Sequence, residues 1–186
     1  MRALIISQPK AGTYLCANLL QEFGLKFKGI HLSEYQQQQY DLSNIYNSLI
    51  NKDEYTATEH ISTTVRRISD NHFAVTHLNY TDEFHSLFLP FKKIIITRSK
   101  DEILQSWERF RSVRNGKGEI DITSLNQYHW LDYPNTFHLT FNNMINKEIP
   151  IIDNLQQFLF GNILHNSRTC IRTALSTSSL TKSNIR

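Results

Sequence analysis

The sequence predicts an α/β three-layer sandwich with a central, mostly parallel sheet. Three observations carry this reading. Ala3-Leu4-Ile5-Ile6 and Ile94-Ile95-Ile96-Thr97 are continuously apolar or nearly so, which suits strands covered on both faces. Each is followed by a short turn and then by an apolar stripe at helical spacing. Strands that alternate with helices in this way build a layered domain with parallel pairing.

The elements come in order. After the first strand, Ser7-Gln8-Pro9-Lys10-Ala11-Gly12-Thr13 forms a turn with Pro and Gly. Leu15, Cys16, Leu19, Leu20 and Phe23 then mark one face of a helix that Gly24 stops. Residues 34–48, with the run Gln36–Gln39, are polar and fit either a helix or a loop. Phe73-Ala74-Val75-Thr76-His77 predicts a strand. Ile94–Thr97 is the next and ends at Arg98. Ser99 and Glu102 have the spacing of a capping box, and Ile103, Trp107 and Phe110 follow at i, i+4, i+7. Residues 111–123 read as a loop, Thr136–Phe141 as a strand and residues 153–165 as a helix.

Composition narrows the function classes. Hydrophobic residues make up 40% and charged residues 20% of the 186, a globular balance that excludes a disordered or collagen-like chain. Apolar runs of four or five residues fall far short of the roughly 20 needed to cross a bilayer, so no membrane span is expected. Ala3–Ile6, interrupted at once by Gln8-Pro9-Lys10, is too short for a secretory signal. The expectation is a soluble, cytoplasmic protein. Two cysteines, Cys16 and Cys170, make neither a disulfide framework nor a metal-type spacing. The net charge is +3, from 20 basic and 17 acidic side chains. Arg168, Arg172, Lys182 and Arg186 lie in residues 166–186 with no carboxylate among them, which leaves 16 basic against 17 acidic for residues 1–165. That excess is too small to argue for nucleic acid and would suit a small anionic ligand. The chain therefore divides into one α/β domain over residues 1–165 and a basic, Ser/Thr-rich segment over 166–186.

Three groups of residues carry chemistry, and parallel sheets bind ligands at the strand ends where all three fall. Pro9-Lys10-Ala11-Gly12-Thr13 puts a glycine loop between a buried strand and a helix. Backbone N–H groups and the helix dipole can close on an anion there, or the segment is simply a tight turn. Lys10 precedes the glycine, so the Walker pattern is absent, and Thr97-Arg98 and Thr76-His77 stand where a magnesium-binding aspartate would follow a strand. Arg98 suits a phosphate, with Ser106 on the inward edge of the next helix; its alternative partner is a carboxylate such as Asp101 or Glu102. His77 has the ordinary pKa of a general base, or a structural role.

Together these residues resemble the sulfotransferases that use 3′-phosphoadenosine 5′-phosphosulfate (PAPS). Pro9-Lys10-Ala11-Gly12-Thr13-Tyr14-Leu15 is similar to the family's Pro-Lys-x-Gly-Thr-Thr/Ser loop, which grips the 5′-phosphosulfate. Arg98 through Ser106 is similar to its Arg-x-Pro-x-Asp…Ser signature, which holds the 3′-phosphate. Thr76-His77-Leu78 resembles its Lys-Thr-His, whose His is the base. The resemblance covers residues 1–145 and implies a P-loop nucleoside-triphosphate-hydrolase-like fold. It also implies transfer of a sulfuryl group from PAPS to a hydroxyl or amine of a small-molecule or saccharide acceptor, releasing adenosine 3′,5′-bisphosphate (PAP) without a metal. On this reading Lys10 and His77 are catalytic. Lys10, Ala11, Gly12, Thr13 and Tyr14 bind the 5′-phosphate side of the donor, and Arg98 and Ser106 its 3′-phosphate.

The departures from the pattern are Tyr14 for the loop's second hydroxyl residue, Ser99 for proline, and Phe141-Asn142 where the family has Tyr-Glu near the adenine. The family's late Arg-Lys-Gly loop is also missing, with Arg168, Arg172 or Lys182 as substitutes and segment 166–186 as either a lid over the donor or a disordered tail. Glu59 and His60 are the reserve bases, and residues 31–60 and 111–133 are expected to line the acceptor pocket. Two other readings stand beside this one: a nucleotide-binding module without turnover, and a magnesium-ATP-dependent P-loop kinase.

Overall fold

The sheet is built around β1 (Arg2–Ser7), whose Ala3, Leu4, Ile5 and Ile6 are fully buried. The structure, a computed structural model, describes residues 1–32, 38–41, 57–58, 61–114 and 127–178. β1 leads into α1 (Thr13–Glu22) and then β2 (Lys26–Leu32), β3 (Gln38–Asp41) and β4 (Ala57–Thr58). α2 (Ile61–Arg66), β5 (His72–Thr76), α3 (Asp82–Phe88), β6 (Phe91–Thr97) and α4 (Lys100–Arg114) come next. A 3-10 turn (Gln127–Asp132), β7 (Thr136–Thr140), α5 (Phe141–Ile145), α6 (Ile149–Phe160) and α7 (Ser167–Thr177) complete the described order.

The strands lie in the order β4-β3-β2-β5-β1-β6-β7. β2, β5, β1, β6 and β7 pair in parallel, as their continuous apolar runs require, while β3 and β4 add an antiparallel edge beyond β2. Alternation divides the core in two. Ala3, Ile5, Phe73, Val75, Ile94, Ile96 and Leu139 face α1, α5, α6 and α7. Leu4, Ile6, Ala74, Phe91 and Ile95 face Val65 of α2, Phe88 of α3 and Trp130 of the 3-10 turn. The expected three-layer α/β architecture is therefore present. Among the described residues no helix is long and apolar enough to cross a membrane.

Several boundaries differ from the sequence reading, each for a local reason. The helix expected over 153–165 begins at Ile149, because Pro150 fits the first turn, and ends at Phe160, because Gly161 takes φ 77° beyond it. α4 runs on to Arg114 into the expected loop 111–123, the rest of which lies outside the described residues. Within the ambiguous stretch 34–48, Gln38–Asp41 is a strand, paired antiparallel with β2. Residues 167–177 of the segment set apart as a tail form α7. Its Cys170, Ile171 and Ala174 are buried at a spacing short enough to miss in a Ser/Thr-rich run, and Asn166 caps it through Thr169 N–H. Cys16 and Cys170 are both buried and unbridged, Cys16 on the apolar face of α1 as expected.

Among the described residues one buried side chain carries a charge. Lys93, on the Trp130 face of β6, is 1% exposed, and its ammonium donates to the Phe91 carbonyl at a long 3.4 Å. Burial pushes its pKa down. Replacing such a charge by an apolar side chain of similar length removes the desolvation penalty, so Lys93→Met is expected to raise stability at neutral pH by about 1–3 kcal/mol. A folded pKa below the unfolded value of 10.5 means the unfolded chain holds more protons just beneath that pH, and wild-type stability rises through the window. The advantage of Lys93→Met should therefore shrink between pH 7 and pH 10 in urea titrations. A variant less stable than wild type at pH 7 would contradict this account.

Candidate functional site

The chemistry-bearing residues meet at three adjacent strand ends. β1 opens into the loop Gln8–Gly12, β5 ends beside His77 and β6 beside Arg98, with β5 and β6 on either side of β1. From β1 the chain goes to β2 and β5 on one side and then to β6 and β7 on the other, and such a switch point opens a crevice at the carboxyl edge.

The loop is a strained backbone cradle. Lys10 takes φ 68° and Gly12 φ 107°, both in the left-handed region. Gly12 caps α1 without a side-chain bond, and Cys16 N–H closes the first helical bond to its carbonyl. The amides of the first turn of a helix have no partner within it, so those after Gly12 are the donors that the helix start offers. Ala11 N–H is bonded to the Gln8 carbonyl at 3.1 Å. Thr13 is buried, and its hydroxyl meets that of Ser7 at 2.5 Å, tying the helix start to the end of β1. A Cβ on Gly12 would lie 2.6 Å from the Phe141 ring, so the close approach of that ring also requires glycine.

Arg98 joins this loop to the next strand end. Its Nη1 donates to the Lys10 carbonyl at 3.0 Å, and its guanidinium carbon lies 3.7 Å from the centre of the Phe141 ring. Glu102, one turn along α4, stands 3.8 Å from Nε; the carboxylate partner considered from sequence is thus present. Nε is buried with no hydrogen-bond partner among the described residues. Burial lowers the Arg98 pKa, Glu102 opposes that shift, and Arg109 adds to it. Ser99 caps α4 only in part, its hydroxyl donating to Glu102 at 2.6 Å in place of a backbone contact by that carboxylate. Ser106 is half-buried on the same flank of α4 as Glu102 and Arg109, by the spacing i, i+4, i+7. The ammonium of Lys10 sits 3.3 Å over Phe110 and 5.6 Å from the ring of Trp107, two members of the stripe read from sequence.

His77 is held from β1. Its Nδ1 lies 2.6 Å from the Ser7 carbonyl, which can only accept, so Nδ1 carries the proton and Nε2 is the basic nitrogen. Desolvation lowers its pKa to about 4; the Ser7 bond opposes the shift and the charge of Lys10 adds to it. The imidazole is neutral at pH 7. His31 of β2 packs against it, ring centres 4.5 Å apart at 73°. Desolvation, and then the proximity of His77, lower the His31 pKa to about 3. Tyr14, the departure at the loop's second hydroxyl position, brings its phenol 3.2 Å from His31 Nδ1. Its ring is 47% exposed on the outer side, while desolvation at the phenol pushes the pKa up to about 12.

The structure thus brings Lys10, Ala11, Gly12, Thr13, Tyr14, His77 and Arg98 to one edge, with Ser106 on the helix beyond Arg98. Sequence reasoning placed His31 only within the stretch 31–60, without its contact to His77, and missed Arg109 near Arg98 and the role of Phe141 as the floor under Gly12 and Arg98. Glu59, His60 and Lys182 lie outside the described residues. Arg168 and Arg172 are exposed on α7, whose Cys170 meets the Glu22 carbonyl at the end of α1 away from the loop.

No protein-family model matches the sequence, and no curated protein matches it. Among solved structures, the chain is similar to that of mouse sulfotransferase SULT7A1 complexed with PAP, with a TM-score of 0.58 and 17% identity over 95% of this chain. The chain spans 64% of the length of that protein. A gluconokinase from Sinorhizobium meliloti 1021 aligns with a TM-score of 0.41 and 10% identity, over 98% of this chain and 94% of that one, a likeness too slight to carry an argument. At 17% identity the shared property is the fold, an α/β domain with a mostly parallel sheet.

Gly12 is the position on which this arrangement leans most. Gly12→Ala combines a left-handed backbone with a clash against Phe141 and is expected to cost about 1–3 kcal/mol. That corresponds to a fall in Tm of about 2–12 °C, at roughly 2–4 °C per kcal/mol for a chain of this size. Phe141→Leu in the same background relieves the clash and should recover part of the loss. An unchanged Tm in Gly12→Ala would show that the loop is free of this constraint.

Proposed function

We propose that the protein is a PAPS-dependent sulfotransferase, moving a sulfuryl group to a hydroxyl or amine of a small-molecule or saccharide acceptor. The observation that carries the reading is the double clasp on the β1–α1 loop. Arg98 bonds the Lys10 carbonyl from β6, and His77 bonds the Ser7 carbonyl from β5. The counterpart of the family's 3′-phosphate arginine is thus bonded to the loop, and the counterpart of its base histidine to Ser7, the β1 residue that precedes the loop.

The residues fit such a donor. Arg98 Nε is a buried donor with no hydrogen-bond partner among the described residues. The amides from Gly12 onward, at the start of α1, suit the 5′-phosphate. Arg98, with Ser106 and Arg109 on the adjoining flank of α4, suits the 3′-phosphate, where guanidinium and hydroxyl donors match the oxygens. Arg109 thereby supplies a second guanidinium of the kind that the late loop supplies in the family. The donor contributes a sulfur that an oxygen or nitrogen nucleophile can attack in line.

His77 Nε2 takes the proton of the acceptor hydroxyl as its oxygen bonds to sulfur, and neutrality at pH 7 keeps that nitrogen available. Lys10 neutralises the charge left on the departing bridging oxygen, an electrostatic role worth most in a desolvated site. To do so its ammonium leaves the face of Phe110, a contact worth about 0.5–2 kcal/mol that the two negative groups of the donor can outweigh.

Turnover tests the reading. The purified chain, incubated with PAPS carrying labelled sulfate and a panel of phenols, alcohols, amines and saccharides, is expected to label at least one acceptor without added metal. His77→Ala should slow that reaction by about 10²–10⁴-fold with little change in donor affinity. Labelling at the wild-type rate in His77→Ala would move the base elsewhere. ATP-dependent phosphorylation of the panel in place of sulfation would replace the proposal with a kinase.

A further inference from the structure

We propose that Tyr14 and His31 form a positioning pair for His77, a chain of three side chains from α1, β2 and the end of β5 that fixes the plane of the basic imidazole and keeps water from it. The kinetic part of this inference rests on the sulfuryl-transfer reading; the structural part does not.

The geometry comes from three elements. β2 and β5 are in register at Phe27–Phe73 and again at His31–Val75, so β2 advances four residues where β5 advances two. The extra residues bulge, and bulges beside functional sites re-aim side chains. Parity is preserved, so His31 emerges on the α1 face of the sheet at its carboxyl end, beside His77, whose own N–H continues the pairing by bonding the Leu32 carbonyl at 3.2 Å. On one side His77 is pinned by Ser7 through Nδ1; on another it meets the His31 ring edge to face at 4.5 Å. His31 is fixed in turn by the Tyr14 hydroxyl at 3.2 Å, with the two rings also edge to face, centres 6.4 Å apart. Tyr14 stands where the resembled loop carries a short hydroxyl residue, and its phenol is spent on His31 rather than on the loop.

Two contacts in different directions leave His77 little freedom to rotate about its χ angles. A base so held keeps Nε2 at one place on the edge, and displacement of a reacting group by about 1 Å can cost about 10²-fold in rate. Among the described residues, titratable and charged groups that face the imidazole include Lys10 from the β1–α1 loop and His31 from β2, with Tyr14 of α1 acting through His31. His31 is neutral at pH 7 and adds no repulsion when His77 gains its proton. It also occupies space that water would otherwise enter. Losing His31 should therefore do two separable things: loosen the orientation of His77, and let its pKa climb back towards the ordinary 6.5.

The test uses Tyr14→Phe, which keeps an already half-exposed ring, with His31→Ala and His31→Asn, the last retaining a polar partner for the phenol. In the free protein, ¹⁵N NMR of the imidazoles is expected to find wild-type His77 protonated on Nδ1 and neutral down to about pH 5. In His31→Ala the tautomers should mix and the titration move up in pH, with Tyr14→Phe and His31→Asn intermediate. In turnover, His31→Ala should lower kcat by about 10–100-fold with KM for PAPS unchanged, and its acid limb should shift upward with the His77 titration. An identical His77 tautomer and titration midpoint in wild type, Tyr14→Phe and His31→Asn would overturn the pair. If the NMR changes appear but the wild type transfers no sulfate, the pair stands and the sulfotransferase reading falls. A fall in kcat with tautomer and pH profile unmoved assigns His31 a merely structural role and also overturns the proposal.

Discussion

The site depends on one close approach. The Phe141 ring lies so near Gly12 that no side chain fits between them, and the same ring carries the Arg98 guanidinium on its face. Loop, ring and arginine form a stack in which each holds the next. β7 delivers Phe141 at its carboxyl end, where Thr140 and Asn143 cap α5 reciprocally and set the direction in which that helix starts. Arg98 then reaches the Lys10 carbonyl, and the loop takes the left-handed turns at Lys10 and Gly12 that expose the start of α1. Backbone strain of this kind persists only where the surroundings over-determine it, and here three strand ends do so.

A second property comes from burial. The site's cations rest on aromatic faces, Lys10 on Phe110 and Arg98 on Phe141, while its two imidazoles are neutral because desolvation holds their pKa values at about 4 and 3. An electropositive edge with little competing negative charge is suited to an anionic ligand. Among the described residues the carboxylate of Glu102 stands at this edge, and it is engaged by both Arg98 and the hydroxyl of Ser99. Charges poised in a desolvated place are worth more to an incoming anion than charges already immersed in water.

Most of this edge is legible in the sequence. Unbroken apolar runs mark the parallel strands, and residues just past the end of such a strand stand at the sheet's carboxyl edge. That rule alone locates Lys10–Tyr14, His77 and Arg98. His31 is not legible, because β2 alternates lysines with apolar residues and carries a register shift that no periodicity announces. Phe141 reads as the last residue of a strand, whereas it begins a five-residue helix; a capping box of Thr140 and Asn143 is a weaker signal than the apolar alternation before it. α7 is hidden by its serines and threonines, because its buried face holds few apolar residues, Cys170, Ile171 and Ala174 beside Ser167. Arg109 looks like an ordinary solvent-facing charge, and only the turn of α4 brings it near enough to Arg98 for the two charges to interact.

The most direct test of the account is the binding of PAP, measured by titration calorimetry without magnesium, beside AMP and magnesium-ATP. Micromolar affinity for PAP is predicted, weak affinity for AMP, which lacks the 3′-phosphate, and loss of the PAP signal in Arg98→Ala. Equal affinity for PAP and AMP, or a preference for magnesium-ATP, would contradict a 3′-phosphate site at Arg98 and with it the sulfuryl-transfer reading.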